Sequence, residues 1–370
     1  MRVVIVSHLF NDIASGPSWS VPSYVESLSK LDEVVWVNTI EDMMPHWGEV
    51  VCFHKVSEFG GLNYSKITRR FGIPDIVVFQ GFNFPEHALF AIQLRRKHIP
   101  YIIVPRGSLA YDAIHNHARW KKWLAHKLLF DRYVKRASAI QFLTKEEYDE
   151  SGKKWNSNCF VLGNGFSNDL VKEDFSRDRI KGVFIGRLDM YHKGLDNLVA
   201  AVGSVADQMR AAHFTIDLYG PEKYDYLKLG ETIAAKSLGD VLSVHGPVSG
   251  DAKSELLLGS DLFVLTSRFE GHPMGLIEAL SYGLPALVTV GSNMMGKIIE
   301  NKAGWQADPN TSDAIAETLL RIIKERESLK EKGRNARLLS LDYDWQALAV
   351  ALHTELEGIV ERNRKTGDCS

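Results

Sequence analysis

The sequence SRFEGHPMGLIEA, residues 267–279, directly follows the apolar run Leu262–Leu265. This order indicates a buried strand, then a tight loop, then a helix. Gly271 and Gly275 permit a ligand to approach the backbone closely, and Pro273 suits the first turn of a helix. Because a helix N-terminus offers unpaired N–H groups and a positive dipole end, we expect this loop to bind an anionic or hydroxyl-rich ligand.

Two glutamates in this stretch, Glu270 and Glu278, are separated by seven residues. Both can belong to the ligand site that the loop predicts. The alternative is that Glu270 is a surface loop residue and that Glu278 is a charge on the exposed face of the helix. A second motif in the chain favours the ligand site.

That second motif is GRLDMYHKG, residues 186–194, which lies between the predicted strand Gly182–Ile185 and the predicted helix Leu195–Ala201. Arg187 can bind phosphate oxygens with two parallel hydrogen bonds, and Lys193 supplies a point charge. Together they could neutralise a diphosphate leaving group without a bound metal. The alternative is a solvated basic turn.

Short β-branched runs alternate with helical stretches on both sides of these motifs. The runs of the first half are Val3–Val6, Val34–Val37, Ile76–Phe79, Tyr101–Val104, Ala139–Phe142 and Cys159–Leu162. Those of the second half are Gly182–Ile185, Thr215–Tyr219, Leu242–His245, Leu262–Leu265 and Ala286–Val290. The pattern predicts an α/β protein with two doubly wound sheets, followed by a terminal helix from Trp345 to about Arg362.

The chain has 370 residues, more than one hydrophobic core usually serves, so we expect two Rossmann-like domains. Asn164-Gly165 interrupts the strand pattern, which gives a first domain at 1–166 and a second at 167–344, with the terminal helix at 345–362. Open α/β domains bind ligands at the carboxyl ends of their strands. The expected site is therefore the cleft between the two domains.

Composition and charge restrict the compartment and the partners. The three cysteines, Cys52, Cys159 and Cys369, are an odd number at wide spacing, which favours a reducing, cytoplasmic compartment. No run of 18 apolar residues occurs, and the apolar run Val3–Val6 is too short for a signal peptide. The net charge is −2, yet residues 66–136 hold 14 Lys and Arg against 4 Asp and Glu, a difference of +10. This asymmetry suggests a polyanionic or membrane-surface partner.

Other nucleotide motifs have little support. No Gly-Lys-Ser/Thr follows either loop, so neither is a P-loop. Gly163-Asn164-Gly165 lacks the third glycine of a dinucleotide fingerprint, which argues against NAD. No D-x-D motif or cluster of metal ligands serves the predicted site, so we expect no metal and no cofactor.

These motifs together resemble glycosyltransferase family 4, the retaining, metal-independent enzymes with the GT-B fold. Glu270 to Glu278 is similar to the family's E-x(7)-E motif, and residues 186–194 are similar to its G-R-x(5)-K-G element. Asn164-Gly165 is similar to the N-G that closes the family's first domain. The resemblance covers nearly the whole chain and implies two Rossmann-like domains facing a central cleft, with the C-terminal helix returning toward the first, acceptor-binding domain.

The resemblance also implies residue roles. Glu270 would contact the hydroxyls of the donor sugar, Glu278 the ribose, and Arg187 with Lys193 the diphosphate. Backbone near Gly220, Pro221, Val244 and His245 would line the base pocket. The loop and helix start between the two glutamates would also bind substrate, through Gly271, His272, Pro273, Met274, Gly275 and Leu276.

The chain departs from the family in two loops of the first domain. Ser15-Gly16-Pro17 stands where many members have a Gly-Gly pair, so Gly16 is the predicted contact to the diphosphate. Arg106 stands where many members have a histidine, and its Pro-Arg-Gly sequence resembles bacterial surface-polysaccharide transferases. Arg106 would then touch the sugar or the phosphates, and the alternative is an arginine that bonds its own loop.

The segment 119–133 interleaves Lys121, Lys122 and Lys127 with tryptophans, leucines and a phenylalanine. It indicates a basic amphipathic helix, which could lie on an anionic membrane surface. The alternative is that its apolar residues pack on the first sheet. Nucleic acid is a weaker explanation, because no recognised binding motif accompanies the charge.

The sequence therefore predicts a hexosyltransferase that uses a UDP- or GDP-sugar, and the resemblance implies that it retains anomeric configuration. The acceptor expected from the resemblance and the basic helix is a lipid-linked oligosaccharide in bacterial polysaccharide biosynthesis. The alternatives are a sugar-nucleotide epimerase on the same scaffold and a non-catalytic nucleotide-sugar-binding protein, with an oxidoreductase last.

Overall fold

The computed structural model describes residues 1–12, 15–50, 52–106, 129–145, 147–149, 155–175 and 178–367. The chain divides into two compact units, each described by itself below. The first comprises Met1–Gly165 with Trp345–Ser370, and the second comprises Phe166–Asp344. Each unit contains one parallel sheet, so the predicted α/β class is confirmed.

The first unit is built on a seven-stranded sheet in its described residues, with the order β3-β2-β1-β4-β5-β6-β7. The strands are β1 Arg2–Ser7, β2 Glu33–Asn38, β3 Phe53–Lys55, β4 Ile76–Gln80, β5 Tyr101–Val104, β6 Ala139–Phe142 and β7 Cys159–Val161. The helices are α1 Gly16–Ser29, α2 Tyr64–Phe71, α3 Pro85–Arg95 and α4 Asp131–Lys135, with 3-10 turns at Pro45–Glu49 and Val56–Phe59.

Both faces of this sheet are buried. Val3 and Ile5 of β1 belong to one apolar cluster, whereas Val4 and Val6 belong to another on the opposite face. Successive side chains of a strand point to opposite faces, so a continuous apolar strand requires cover on both sides. The terminal helix, Trp345–Gly367, supplies part of the first cluster through residues such as Leu352 and Leu356, as the predicted return of this helix to the first unit requires.

The second unit contains a six-stranded sheet in the order β10-β9-β8-β11-β12-β13. The strands are β8 Ile180–Ile185, β9 Phe214–Tyr219, β10 Leu242–His245, β11 Leu262–Leu265, β12 Ala286–Thr289 and β13 Gly304–Ala307. The helices that follow α4 are α5 Leu195–Ser204, α6 Ala206–Ala211, α7 Tyr226–Ala235, α8 Gly250–Gly259, α9 Met274–Ser281, α10 Met295–Glu300, α11 Ser312–Lys324 and α12 Leu329–Ser340, so that Trp345–Gly367 is α13. The 3-10 turns are Val290–Ser292, Arg326–Ser328 and Leu341–Tyr343.

The order of the strands determines which loops meet. β8 pairs with β9 on one side and with β11 on the other, all in parallel. The loops that leave the carboxyl ends of these three strands therefore lie at one edge of the sheet. In the described part of the chain, no helix is both long and apolar enough to cross a membrane.

Candidate active site

The two motifs of the second unit are joined by direct hydrogen bonds. The loop after β8 carries residues 186–194, and the loop after β11 carries residues 266–273. The Arg268 amide donates to the His192 carbonyl oxygen at 3.0 Å. The Thr266 hydroxyl donates to the Lys193 carbonyl oxygen at 3.1 Å. The parallel pairing of β8 and β11 thus brings together segments that the sequence separates.

Close backbone packing explains two glycines of this edge. Gly194 has φ +63°, and a Cβ there would lie 2.0 Å from the Thr266 carbonyl oxygen. A Cβ on Gly220 would lie 2.1 Å from the Gly186 carbonyl oxygen. Neither position can hold a side chain without moving backbone. The predicted base-pocket residue Gly220 therefore packs directly against the start of the loop 186–194, which we call the arginine-lysine loop.

Lys193 and Glu270 form a largely buried ion pair. The Lys193 Nζ atom lies 2.5 Å from Glu270 Oε1, and the two side chains are only 12% and 10% exposed. The Ser267 hydroxyl donates to the same oxygen at 2.5 Å, and the Asn293 side-chain amide donates to the Glu270 carbonyl oxygen. The interpretation of Glu270 as a surface loop residue, and of Lys193 as a solvated charge, is therefore wrong.

Glu278 is held by a second lysine. It lies on α9 with its side chain 12% exposed, and the Nζ atom of Lys253 on α8 lies 2.5 Å from its Oε2 atom. Burial raises the pKa of Glu278, while the positive charge of Lys253 opposes this shift. Glu278 is thus not an exposed helix-face charge. Lys253 carries no motif signal, and the sequence analysis missed it.

Arg187 differs from the two lysines in having no ion pair with any described carboxylate. Its side chain is half-buried, and its guanidinium carbon lies 5.8 Å from the centre of the Tyr224 ring. Arg268, in contrast, is paired with Asp196 at 2.6 Å and stacks on Tyr191. Arg187 therefore keeps its hydrogen-bonding fork available, whereas Arg268 fixes the two loops together.

His192 also lies in the arginine-lysine loop and was not predicted as a site residue. Its Nδ1 atom is buried without a described hydrogen-bond partner. Burial, followed by the charge of Lys193, lowers the pKa of His192, so the imidazole is neutral at neutral pH. A neutral ring adds no charge to the cationic edge formed by Arg187 and Lys193.

The predicted base-pocket residues lie on the neighbouring strands at the same edge. The Gly186 amide donates to the Tyr219 carbonyl oxygen at 3.0 Å, and the Gly220 amide donates to the His245 carbonyl oxygen at 3.3 Å. The rings of Tyr219 and His245 stack with their centres 4.6 Å apart. Pro221 follows Gly220 in the chain, and Val244 precedes His245. All four predicted residues therefore lie at the ends of two adjacent strands, β9 and β10.

The loop between the two glutamates ends in α9. Pro273 occupies the N-cap, and Met274, Gly275 and Leu276 form the first turn. Leu276 is fully buried, so its side chain belongs to the core, and its amide donates to the Pro273 carbonyl oxygen at 3.0 Å, which contradicts its predicted role as a substrate contact. The His272 ring lies 5.5 Å from the ring of Tyr343, beside Gly271 in sequence.

Arg106 of the first unit is surrounded by polar groups. Its Nε atom donates to the Gln80 side-chain oxygen at 2.9 Å, and Nη1 donates to Ser20 Oγ at 2.9 Å and to Asn164 Oδ1 at 3.3 Å. These partners lie on β4, on α1 and at residue 164, so the described contacts differ from the predicted alternative of bonds within its own loop. The backbone of Arg106 has φ +55°, a conformation that is costly for a residue with a side chain.

Two donors of this arrangement have no described partner. Nη2 of Arg106 and Nε2 of Gln80 are both buried without a hydrogen bond. Burial lowers the pKa of Arg106 to about 10, so the guanidinium remains charged at neutral pH.

Gly16 is the first residue of α1, the helix that carries Ser20. The predicted basic helix 119–133 lies largely outside the described residues, including Lys121, Lys122 and Lys127.

The described ranges contain no group of three or more His, Cys, Asp and Glu side chains arranged to hold a metal ion. The charges at the edge of the second sheet include those of Arg187, Lys193, Lys253 and the two glutamates.

Two α/β units, each built on one parallel sheet, are the architecture of the GT-B class. The crystal structure of HepE from Anabaena in complex with UDP matches with a TM-score of 0.74 and 15% identity, covering 97% of this chain and 100% of that one. The predicted GT-B fold is confirmed.

Residues 167–339, nearly all of the second unit, match the model of the family described as glycosyl transferases group 1. An uncharacterized glycosyltransferase of Methanocaldococcus jannaschii is 20% identical over 90% of this chain and 89% of its own length. TuaC of Bacillus subtilis, a glycosyltransferase proposed for teichuronic acid biosynthesis, is 28% identical over 78% of this chain and 72% of its own. Both relatives are named as glycosyltransferases, which supports the same class of enzyme for this chain.

Proposed function

We propose that this protein is a retaining hexosyltransferase that moves a hexose from a UDP- or GDP-sugar to an acceptor hydroxyl without a metal or a cofactor. The observation that carries the proposal is the arrangement around Glu270. The largely buried carboxylate of Glu270 forms an ion pair with Lys193. Arg187 lies in the same loop as Lys193, and its guanidinium forms no ion pair with any described carboxylate.

The proposed roles are those that the family resemblance implies, and the charges of these residues suit them. Arg187 and Lys193 bind the diphosphate, Glu270 accepts hydrogen bonds from the donor sugar, and Glu278 accepts them from the ribose. When the bond between the anomeric carbon and the β-phosphate oxygen breaks, negative charge grows on the diphosphate. Positive groups held in place for that charge lower the barrier.

The acceptor hydroxyl oxygen forms the new bond to the anomeric carbon on the face that the diphosphate leaves. Its proton passes to the departing phosphate oxygen, so no protein nucleophile is required. Catalysis then depends on the positioning of the two substrates and on stabilisation of the leaving group. The HepE complex with UDP supports the choice of a nucleotide donor.

We assign the first unit to the acceptor, with Gly16 and Arg106 among its substrate-binding residues. Arg106 and Gln80 each have a buried donor with no partner among the described residues, which supports an oxygen-rich ligand there, because a buried donor without an acceptor is costly. A lipid-linked oligosaccharide of bacterial surface-polysaccharide synthesis is the proposed acceptor, supported by the similarity to TuaC.

We further propose a cytoplasmic protein that binds the inner face of the plasma membrane through the basic segment 119–133. Each of Lys121, Lys122 and Lys127 should contribute on the order of 1 kcal/mol to binding at low salt. Replacing all three with Glu should release the protein from anionic vesicles in a sedimentation assay. Equal binding of the wild type to anionic and neutral vesicles, or to neither, would exclude this role.

The decisive experiment is a thermal-shift panel of nucleoside diphosphates and their sugars, followed by turnover with the stabilising sugar nucleotide. A ligand at 100 times its dissociation constant should stabilise the protein by about 2.7 kcal/mol. Release of nucleoside diphosphate that depends on a saccharide acceptor is the expected result. Interconversion of the free sugar nucleotide would identify an epimerase instead, and binding without turnover would identify a non-catalytic binding protein.

A further inference from the structure

The second carboxylate of the motif depends on a residue outside the motif. Glu278 is almost fully buried, and its Oε2 atom lies 2.5 Å from Nζ of Lys253, which is 24% exposed. Lys253 lies 25 residues earlier in the chain, on α8 rather than on α9. The pair is therefore a tertiary contact between α8, which follows β10, and α9, which follows β11.

A buried carboxylate has two ways to avoid an isolated charge. It can take up a proton, or it can keep its charge beside a cation. Only the ionised form accepts hydrogen bonds at both oxygens, whereas a protonated carboxyl uses one oxygen as a donor. Two neighbouring hydroxyls of a ribose require acceptors, so the ionised form is the one that recognises them.

The other charged groups near Glu278 do not replace Lys253. Arg337 of α12, the helix that packs on α9, donates to the Ser281 carbonyl oxygen at 2.7 Å. The strand β11 contributes only Leu262, Phe263, Val264 and Leu265. Among the described residues, Lys253 is the group that forms an ion pair with Glu278.

We propose that Lys253 is a positioning residue that holds Glu278 ionised and oriented for the ribose of the donor nucleotide. This inference rests on the proposed function, because it assigns to Glu278 a ribose that only a nucleotide donor brings. Lys253 acts through Glu278 and does not itself bind the nucleotide. Its loss should therefore weaken nucleotide binding while sparing the turnover number at saturating donor.

The test is isothermal titration calorimetry with UDP and with GDP, using the full chain and a double-mutant cycle. Lys253→Met should raise the dissociation constant about tenfold, the usual cost of losing a hydrogen bond to a charged group. Glu278→Gln should cost about as much. In the Glu278→Gln background, the further change Lys253→Met should cost less than about threefold, because residues of one interacting pair are not additive.

Two further variants separate positioning from loss of packing. Lys253→Arg keeps the charge and should bind within about threefold of the wild type, which also gives a folded test protein if the methionine variant does not fold. Lys172→Met removes a lysine from another buried pair of the same unit, with Asp261 at 3.3 Å. That control should lower the melting temperature and leave the dissociation constant unchanged.

Four results would overturn the assignment. Lys253→Met could bind as the wild type does, Lys253→Arg could fail to restore binding in a folded protein, or the turnover number could fall with unchanged nucleotide affinity. A tenfold loss that persists in the Glu278→Gln background would show that Lys253 contacts the nucleotide directly. If the wild type binds neither UDP nor GDP, the proposed function itself is wrong. If the wild type binds one of them and the Lys253 variants bind it equally well, only the role of Lys253 is wrong.

Discussion

The Nζ atom of Lys193 lies 2.5 Å from the Oε1 atom of Glu270, although the two residues are 77 positions apart in the chain. The pair cancels one positive and one negative charge, which leaves Arg187 as the cation of that loop without a carboxylate partner among the described residues. An ammonium group has three donors, so Lys193 can meet a phosphate oxygen without leaving Glu270. Lys193 and Glu270 therefore lie side by side, as their proposed contacts to a diphosphate and a sugar require.

The first prediction concerns Glu270. Glu270→Gln should reduce the turnover number by about 10²-fold or more, because the carboxylate is proposed to orient the sugar in the transition state. Binding of the nucleoside diphosphate should be largely spared, and this can be measured by calorimetry beside the turnover assay. Glu278→Ala should show the opposite pattern. Equal loss of nucleotide affinity in both variants, with folding intact, would disprove the proposed division of roles.

The second prediction concerns metal ions. Turnover should be nearly unchanged in excess EDTA, because Arg187, Lys193 and the N-terminus of α9 supply positive charge to the diphosphate. The measurement is the initial rate with and without EDTA, followed by addition of Mg²⁺ or Mn²⁺. A rate that is lost in EDTA and restored by either ion would show that the charge of the protein is insufficient.

The third prediction concerns the packing of Gly220 against the arginine-lysine loop. A Cβ at Gly220 would lie 2.1 Å from the Gly186 carbonyl oxygen and 2.8 Å from Cγ of Leu188. Gly220→Ala should therefore destabilise the protein by about 1–3 kcal/mol through overpacking. Thermal unfolding by circular dichroism measures this loss as a lower melting temperature.

A matched control for that variant is Gly230→Ala. Gly230 lies within α7, and a Cβ there meets no atom within 4 Å. Alanine is favoured over glycine in a helix interior, so this change should stabilise the protein slightly. Equal melting temperatures for the two variants would show that the loop moves freely away from Gly220.

Most strands could be predicted because their apolar runs are continuous. Leu262–Leu265 is a strand with the predicted bounds and is fully buried in a parallel sheet. Leu242–His245 also has the predicted bounds, although only Leu242 of this edge strand is buried. Two strands at sheet edges were not predicted. Phe53–Lys55 has three residues, and Gly304–Ala307 contains a glycine and a glutamine, so neither forms the β-branched run that indicates a buried strand.

The sequence identified the residues that motifs carry and missed those that act through tertiary contacts. The spacing of Glu270 and Glu278 locates both carboxylates in one loop and helix. The partners Lys253 and Gln80 come from other elements, and their positions depend on how helices pack and on which strands are adjacent. Local spacing contains neither kind of information, so these partners required the structure.

The last prediction concerns Arg187, the cation of the loop without a described carboxylate partner. Arg187→Met keeps much of the packing of the stem and removes the fork. It should cost more in turnover than in ground-state donor binding, because charge on the β-phosphate grows as the glycosidic bond breaks. Loss of one preorganised donor of this kind typically costs about 10²–10³ in rate. Lys193→Met should behave similarly, but the two effects should not add, because both groups act on one leaving group.

Arg210→Met is a suitable control, since Arg210 is paired with Asp240 on the exposed surface. Steady-state kinetics distinguishes the possibilities. An unchanged turnover number with only a raised Michaelis constant would show that Arg187 merely holds the donor, and the leaving-group role would have to be abandoned.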